Sequence, residues 1–198
     1  MQKKLNLKTA VTFIISVFIL ATAFKGVPQT KAPQSPIKTE TQVQVPSVSL
    51  HEAVITGNMK AVQSHIHAGS DLNKKEPAGG SSALITACVF GKTEIALALI
   101  EAGADINQTN NEGSTALHTA AFFCRTKIVK SLLENGIDIN VKNSAGSTAL
   151  ESVRAPFQMV KGIYEYFAKT YKPLGLTLDL ERIEATRPVM AELISESN

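Results

Sequence analysis

The histidines and periodic aspartates of this sequence are the side chains that could serve in catalysis or metal binding. Their spacing does not match that of a catalytic or metal-binding site. His65 and His67 are two residues apart, so in a helix they would face different directions. Asp71, Asp105 and Asp138 recur at intervals of about 33 residues. A carboxylate series that follows a structural period indicates a recurring turn rather than a pair of catalytic acids.

Other patterns of catalysis are also missing from the sequence. It contains no glycine-rich phosphate loop, no G-x-S-x-G segment and no C-x-x-C pair. His51 and His118 occupy repeating positions with structural roles. The sequence therefore predicts a protein that is not an enzyme, with no catalytic residues and no cofactor or metal site, and its function must come from a surface.

The N-terminal stretch has the pattern of an export signal. Lys3, Lys4 and Lys8 precede an uncharged apolar run over 10–24. That run is shorter than the roughly 20 residues that span a bilayer, and Ala21-Thr22-Ala23 resembles a signal-peptidase site. We expect residues 1–23 to be a cleaved signal peptide and the protein to be periplasmic or secreted, with an uncleaved inner-membrane anchor as the alternative.

Residues 24–46 are rich in proline and polar residues, a composition that cannot bury enough apolar surface to fold, and we expect a flexible linker. Residues 1–48 hold six lysines and one glutamate, whereas residues 49–198 hold 14 basic and 16 acidic residues. The high isoelectric point therefore comes from the leader and linker. The near-neutral remainder argues against a nucleic-acid partner.

Three sets of residues recur with one period of about 33 residues. They are Leu50, Leu84, Leu117 and Leu150; Gly69, Gly103 and Gly136; and Asn73, Asn107 and Asn140. Within one period, Thr115 can cap a first helix, and the apolar residues over 128–133 form one stripe of a second helix. Gly136 then permits the left-handed residue that ends this helix. Each period therefore predicts a helix–turn–helix unit.

The segments T-A-L-H (115–118), G-A-D-I-N (103–107) and G-I-D-I-N (136–140) resemble the ankyrin repeat. The resemblance implies an all-α solenoid of about four repeats with hairpin-like loops over residues 47–198. The expected repeats cover about 47–76, 77–109, 110–142 and 143–198.

The fourth repeat is expected to be interrupted. After a first helix near 148–154 the chain meets Pro156, and the pattern of a second helix resumes only near 187–196. The insertion, about 155–186, carries an apolar stripe with helical spacing that should end before Pro173 and cover another surface. The stripe consists of Phe157, Val160, Tyr164, Phe167 and Tyr171. Asp179 is expected to cap a further brief helix.

Cys124 stands where Gly57 and Gly91 stand in the preceding units, which predicts a less left-handed turn between its two helices. Cys88 aligns with Ala121 rather than with Cys124. Equivalent helices of neighbouring repeats lie about 10 Å apart, beyond the reach of a disulfide. Two unbridged thiols are expected.

In ankyrin-like solenoids the hairpin tips and the first helices usually form a concave binding face. The resemblance places seven residues of this chain there as candidate partner contacts: Thr56, Val89, Phe90, Phe122, Phe123, Asn111 and Glu112. Adjacent phenylalanines on such a face would be strong anchors for a partner. Alternatively, the insertion folds back and covers Phe122 and Phe123 with Phe157, Tyr164 or Phe167.

The function expected from sequence is that of an exported, monomeric ankyrin-repeat module that binds another protein without catalysis. Two alternatives remain open. One is a membrane-anchored scaffold in which the N-terminal segment is retained. The other is a periplasmic stress-protection factor, because some bacterial exported ankyrin proteins are linked to defence against oxidants.

Overall fold

The computed structural model describes residues 46–197, which contain nine α-helices, one short 3-10 helix and no β-strand. The expected signal peptide and nearly all of the linker lie outside these residues. Within them, no helix has the length and apolar character to cross a membrane. The α-helices are α1 (Leu50–Thr56), α2 (Met59–His67), α3 (Ala83–Phe90), α4 (Thr93–Glu101), α5 (Ala116–Phe122), α6 (Thr126–Glu134), α7 (Ala149–Arg154), α8 (Phe157–Thr170) and α9 (Leu180–Ser195).

Side-chain caps start the first helix of each pair where the sequence predicts them. Ser82 accepts from the backbone N–H of Ile85 at 3.3 Å, at the start of α3. Thr115 caps α5 in a capping box with His118. Thr148 starts α7 in the same way. These hydroxyls satisfy backbone donors that have no partner inside the helix.

Successive helix pairs stack because their contacting faces are small or apolar. In α3 and α5, Ala87, Ala120 and Ala121 are fully buried, which lets neighbouring first helices approach closely. In α6, Ile128 and Leu132 are also fully buried, as the predicted stripe requires. The core therefore runs continuously along the stack rather than forming one central cluster.

The periodic asparagines connect consecutive loops. The side-chain oxygen of Asn73 accepts from the backbone N–H of Asp105 at 2.8 Å. Asn107 accepts from Asp138 at the same distance. One carboxamide in each loop thus fixes the position of the next loop.

Histidines make a second connection between units. The Nε2 atom of His51 lies 2.9 Å from the carbonyl oxygen of Ser81, and that of His118 lies 3.1 Å from the carbonyl of Ser147. Ile85 stands at the equivalent position of the second unit and is buried. Apolar packing therefore replaces the hydrogen bond there.

The prediction of a less left-handed turn at Cys124 is wrong. Its φ of 52° lies in the left-handed region, as do those of Gly57 at 72° and Gly91 at 63°. The thiol is buried and lies 3.5 Å from the carbonyl oxygen of Ile183 in α9. The turn geometry of the stack therefore persists without glycine, at a backbone cost of about 1–2 kcal/mol.

Helices α7 and α9 continue the stack but are separated along the chain by an extra helix. Helix α7 packs against α5, and α9 packs against both α6 and α7. Between them lies α8, which begins directly after Pro156. Helix α7 ends before this proline because a proline disfavours helical geometry at the residue that precedes it. Ala155 accordingly has an extended backbone.

The brief helix predicted after Asp179 and the second helix predicted near Arg187 are one continuous helix, α9. Asp179 caps it by accepting from the N–H of Arg182 at 3.0 Å. Pro188 lies inside α9 and removes only one backbone donor. No glycine separates the two predicted segments, and Ile183 and Met190 are fully buried on the same side, so packing holds the helix together.

Candidate functional site

Helix α8 covers the end of α5 through aromatic contacts. The ring of Tyr164 stacks on that of Phe122, with centroids 4.2 Å apart and planes at 16°. Phe123 meets Phe167 edge-on at 5.0 Å and is only 2% exposed. Of the two arrangements left open by the sequence, the structure contains the one in which the chain itself covers these phenylalanines. Phe122 remains half-buried.

The same cover reaches the second helix pair. Tyr171, just after α8, packs edge-on against Phe90 at 6.1 Å and is stacked with Phe167 at 5.4 Å. Phe90 and Val89 are half-buried at the end of α3. The carbonyl oxygen of Val89 accepts from the Arg125 guanidinium at 3.0 Å. We call Phe157, Tyr164, Phe167 and Tyr171 the aromatic cover.

Two polar side chains attach the cover to the stack. The Tyr164 hydroxyl donates to the Phe122 carbonyl at 2.6 Å and accepts from Arg187 at 2.8 Å. Arg187 also donates to the carbonyls of Ser152 and Ala155 at 3.1 and 2.7 Å. Burial raises the pKa of Tyr164, which keeps the phenol protonated.

Arg187 therefore has a structural role, which sequence reasoning did not identify. Its guanidinium satisfies carbonyls at the end of α7, where the negative end of the helix dipole favours a cation. The grouping of all three tyrosines in the insertion was a usable signal for Tyr164. Nothing in the spacing distinguished Arg187, because the repeat pattern aligns it with Thr126.

Two of the predicted contact residues, Asn111 and Glu112, lie in one loop. Asn111 is exposed, and its backbone N–H donates to the Gly79 carbonyl at 2.9 Å. Glu112 is half-buried, and its carbonyl accepts from the N–H of Ser144 at 2.8 Å. Loop-to-loop bonds thus hold the backbone of both residues, and the Asn111 side chain also donates to the Ala78 carbonyl at 3.4 Å.

Burial raises the pKa of the Glu112 carboxyl, and the neighbouring Glu76 carboxylate raises it further. Thr56 lies apart from the aromatic cover, at the end of α1. Its exposed hydroxyl donates to the Glu52 carbonyl at 2.7 Å. Of the seven predicted contact residues, only Thr56 and Asn111 are therefore exposed. Val89, Phe90, Glu112 and Phe122 are half-buried, and Phe123 is buried.

Both cysteines and two of the histidines, His65 and His118, are buried, whereas His51 is half-buried and His67 is exposed. Cys88 and Cys124 are unbridged and buried, and burial raises the pKa of Cys88 to about 12. His65 contacts Ser70 at 3.0 Å and the Val48 carbonyl at 2.8 Å. Over residues 46–197, no group of three or more His, Cys, Asp and Glu side chains is placed to hold a metal ion.

Comparisons with known proteins agree with this architecture. A family model described as ankyrin repeats (3 copies) matches residues 50–143. Protein phosphatase 1 regulatory subunit 27 of Homo sapiens is 40% identical over 65 residues, and that of Mus musculus is 37% identical over 65 residues. Each match covers 33% of this chain and 42% of the relative, so the chain spans less than half the length of these curated relatives. The helix pairs between residues 50 and 143 are therefore ankyrin repeats in an all-α solenoid.

Proposed function

We propose that this protein is an exported, non-catalytic module that binds another protein through its loop tips and the open part of its concave face. The ankyrin repeats point to protein–protein interaction, and the regulatory-subunit name of the relatives points to a non-catalytic role. The observation that carries the proposal is the row of loops, whose backbones are fixed to one another while Asn111 remains exposed. A rigid backbone with accessible side chains lowers the ordering cost of binding.

The aromatic cover restricts where a partner contacts the stack. Phe123 is inaccessible in this conformation, and Phe122 and Phe90 are half-buried. The partner surface therefore centres on Asn111 and Glu112, with Thr56 and Val89 as further contacts. We also propose that α7 and the part of α9 from Arg187 form an interrupted fourth repeat, in which α8 belongs to the insertion.

The binding proposal is tested with an Asn111→Arg/Glu112→Arg variant of tagged protein, used to capture partners from periplasmic extract. We expect the double variant to lose the proteins that wild-type protein retains. Lys130→Glu is the matched control, since Lys130 is exposed on α6. Equal capture by the double variant and wild type would contradict binding at the loop tips.

Export is proposed from the basic residues and apolar run at the N-terminus. Intact mass and N-terminal sequencing of the protein isolated from its native cell test it directly. A mature chain beginning near Phe24 is the expected result. A chain that keeps Met1 and sediments with membranes would instead support the membrane-anchored scaffold.

A further inference from the structure

A cleft opens to solvent between the end of α7, the start of α8 and one side of α9. Its volume is about 290 Å³, and the apolar part of its wall consists of Val153, Ala155, Phe157, Pro188 and Ala191. In the earlier helix pairs a short turn joins the two helices, whereas α8 separates α7 from α9. The volume is at the lower end for ligand sites, so the cleft suits a small organic molecule.

Arg187 brings a buried positive charge to this cleft. The side chain lines the cleft and is only 4% exposed. Its hydrogen bonds all go to neutral acceptors, namely the Tyr164 hydroxyl and the backbone carbonyls of Ser152 and Ala155. No carboxylate of residues 46–197 lies within ion-pair distance of the guanidinium. Buried charges are normally paired with an opposite charge, and the end of a helix supplies only a partial one.

The guanidinium of Arg187 also keeps a hydrogen-bond donor. Its bonds to the protein start from Nη1 and Nη2, and within the described residues no acceptor takes the Nε–H. A buried cation that lacks both a counter-ion and an acceptor for one of its N–H groups favours an anionic ligand.

Two further charged side chains line the cleft. Arg154 is exposed at the end of α7, and Glu184 is exposed on α9. Within the described chain neither of them forms an ion pair. The lining therefore carries two positive side chains and one negative side chain, and the net positive charge attracts an anion.

We infer that this cleft binds a small organic carboxylate with an apolar body, of the size of an aromatic monocarboxylic acid. The carboxylate accepts from Arg187 and pairs with the charge of Arg154, and such charge-assisted hydrogen bonds are the strong ones. The apolar body packs on Phe157 and Ala191, away from water. The inference goes beyond the proposed partner binding, which uses the loops rather than this end of α7.

Benzoate is the probe, and benzamide is the matched ligand with the same ring and no charge. Each is titrated into the isotope-labelled full-length chain while NMR records the backbone amide signals. We expect benzoate to shift the signals of Val153, Ala155 and Ala191 until they saturate. Benzamide should bind about tenfold more weakly, because it cannot pair with the guanidinium charge.

Variants of α9 test whether the cleft is the site. Ala191→Leu should remove saturable binding of benzoate, because the larger side chain fills the apolar wall. Val189→Leu is the matched control, since Val189 is exposed on α9 and does not line the cleft. Circular dichroism establishes that both variants are folded.

Charge variants test the chemistry of the ligand. Arg154→Gln should weaken benzoate binding about threefold, whereas Glu184→Gln should strengthen it about twofold, because it removes the negative charge of the lining. Arg182→Gln is the control and should leave the affinity unchanged, since Arg182 is exposed on α9 outside the lining.

The inference is overturned if benzoate causes no saturable shifts, if benzamide binds as tightly as benzoate, or if Ala191→Leu binds benzoate like wild type. It is also overturned if neither Arg154→Gln nor Glu184→Gln changes the affinity. None of these results depends on partner capture through Asn111 and Glu112, so the two proposals stand or fall separately.

Discussion

The hydroxyl of Tyr164 donates a 2.6 Å hydrogen bond to the backbone carbonyl of Phe122, from α8 to the last residue of α5. This bond joins the aromatic cover to an ankyrin repeat at Phe122, one of the residues that the sequence analysis predicted as partner contacts. Because Arg187 donates to the same hydroxyl at 2.8 Å, three helices meet at one phenol oxygen.

Tyr164→Phe should therefore destabilise the protein although the ring is kept. The change leaves the Phe122 carbonyl and one Arg187 donor without their partner, at a cost of about 1–3 kcal/mol. Urea denaturation followed by circular dichroism measures this cost. Tyr166→Phe is the matched control, since Tyr166 is exposed, and should change stability by less than about 0.5 kcal/mol. Equal effects of the two changes would show that the buried bond is unimportant.

Arg187→Met should cost about 2–3 kcal/mol, because three hydrogen bonds from a charged donor are lost inside the protein. The flexible thioether of methionine can occupy much of the arginine volume. Chemical denaturation of Arg187→Met and of the exposed-site control Arg182→Met provides the comparison. If Arg187→Met is as stable as the control, the Arg187 guanidinium at the end of α7 does not contribute to the stability of the protein.

We expect the Cys124→Gly variant to be more stable than the Cys124→Ala variant. This is the reverse of the usual effect of these two residues within a helix. Both changes remove the thiol, but only glycine adopts a φ of 52° without steric cost. The expected difference in unfolding free energy is about 1 kcal/mol in favour of Cys124→Gly. The matched comparison is wild type against Ala120→Gly, because Ala120 lies inside α5. There the glycine variant should be the less stable protein. The same order at both sites would contradict left-handed geometry at Cys124.

Stability should fall as the pH drops through the range in which histidine is protonated. Burial lowers the pKa of His118 in the folded state. Its Nδ1 accepts from the N–H of Thr115 at 3.2 Å, which requires an unprotonated nitrogen. The unfolded chain therefore binds the proton more readily, so the contribution of His118 is full above the ordinary histidine pKa of about 6.5 and is lost below it.

Thermal unfolding of wild type and His118→Gln between neutral and mildly acidic pH measures this dependence. The variant should lose less stability than wild type over that interval, because glutamine does not titrate. His67→Gln is the control, since His67 is exposed on α2. Parallel curves for wild type and His118→Gln would refute the role of this histidine.

The sequence was sufficient for features that depend on local pattern. The helix cap at Thr115 was predicted and is present, whereas for Asn107 the period predicted a recurring position but not its hydrogen bond to the next loop. The left-handed Cys124 could not be predicted, because its geometry is imposed by the helices on both sides and by contact with Ile183. The continuity of α9 through Pro188 depends in the same way on residues distant in sequence.

The candidate site was only partly predictable for a related reason. The spacing of Phe157, Tyr164 and Phe167 predicted an apolar face on α8, but it left open whether that face covers Phe122 and Phe123. Contacts between Tyr171 and Phe90 join residues about 80 positions apart, and periodicity contains no information about such distances.

Helix α8 has 14 residues and is therefore about 21 Å long. It begins beside α7 and leads to Tyr171 at the end of α3, so its length matches the distance across two further helix pairs. An extra ankyrin repeat inserted between the second and third would move Phe90 about 10 Å farther from Tyr171. A repeat added at that position would therefore require a longer α8 for Tyr171 to reach Phe90.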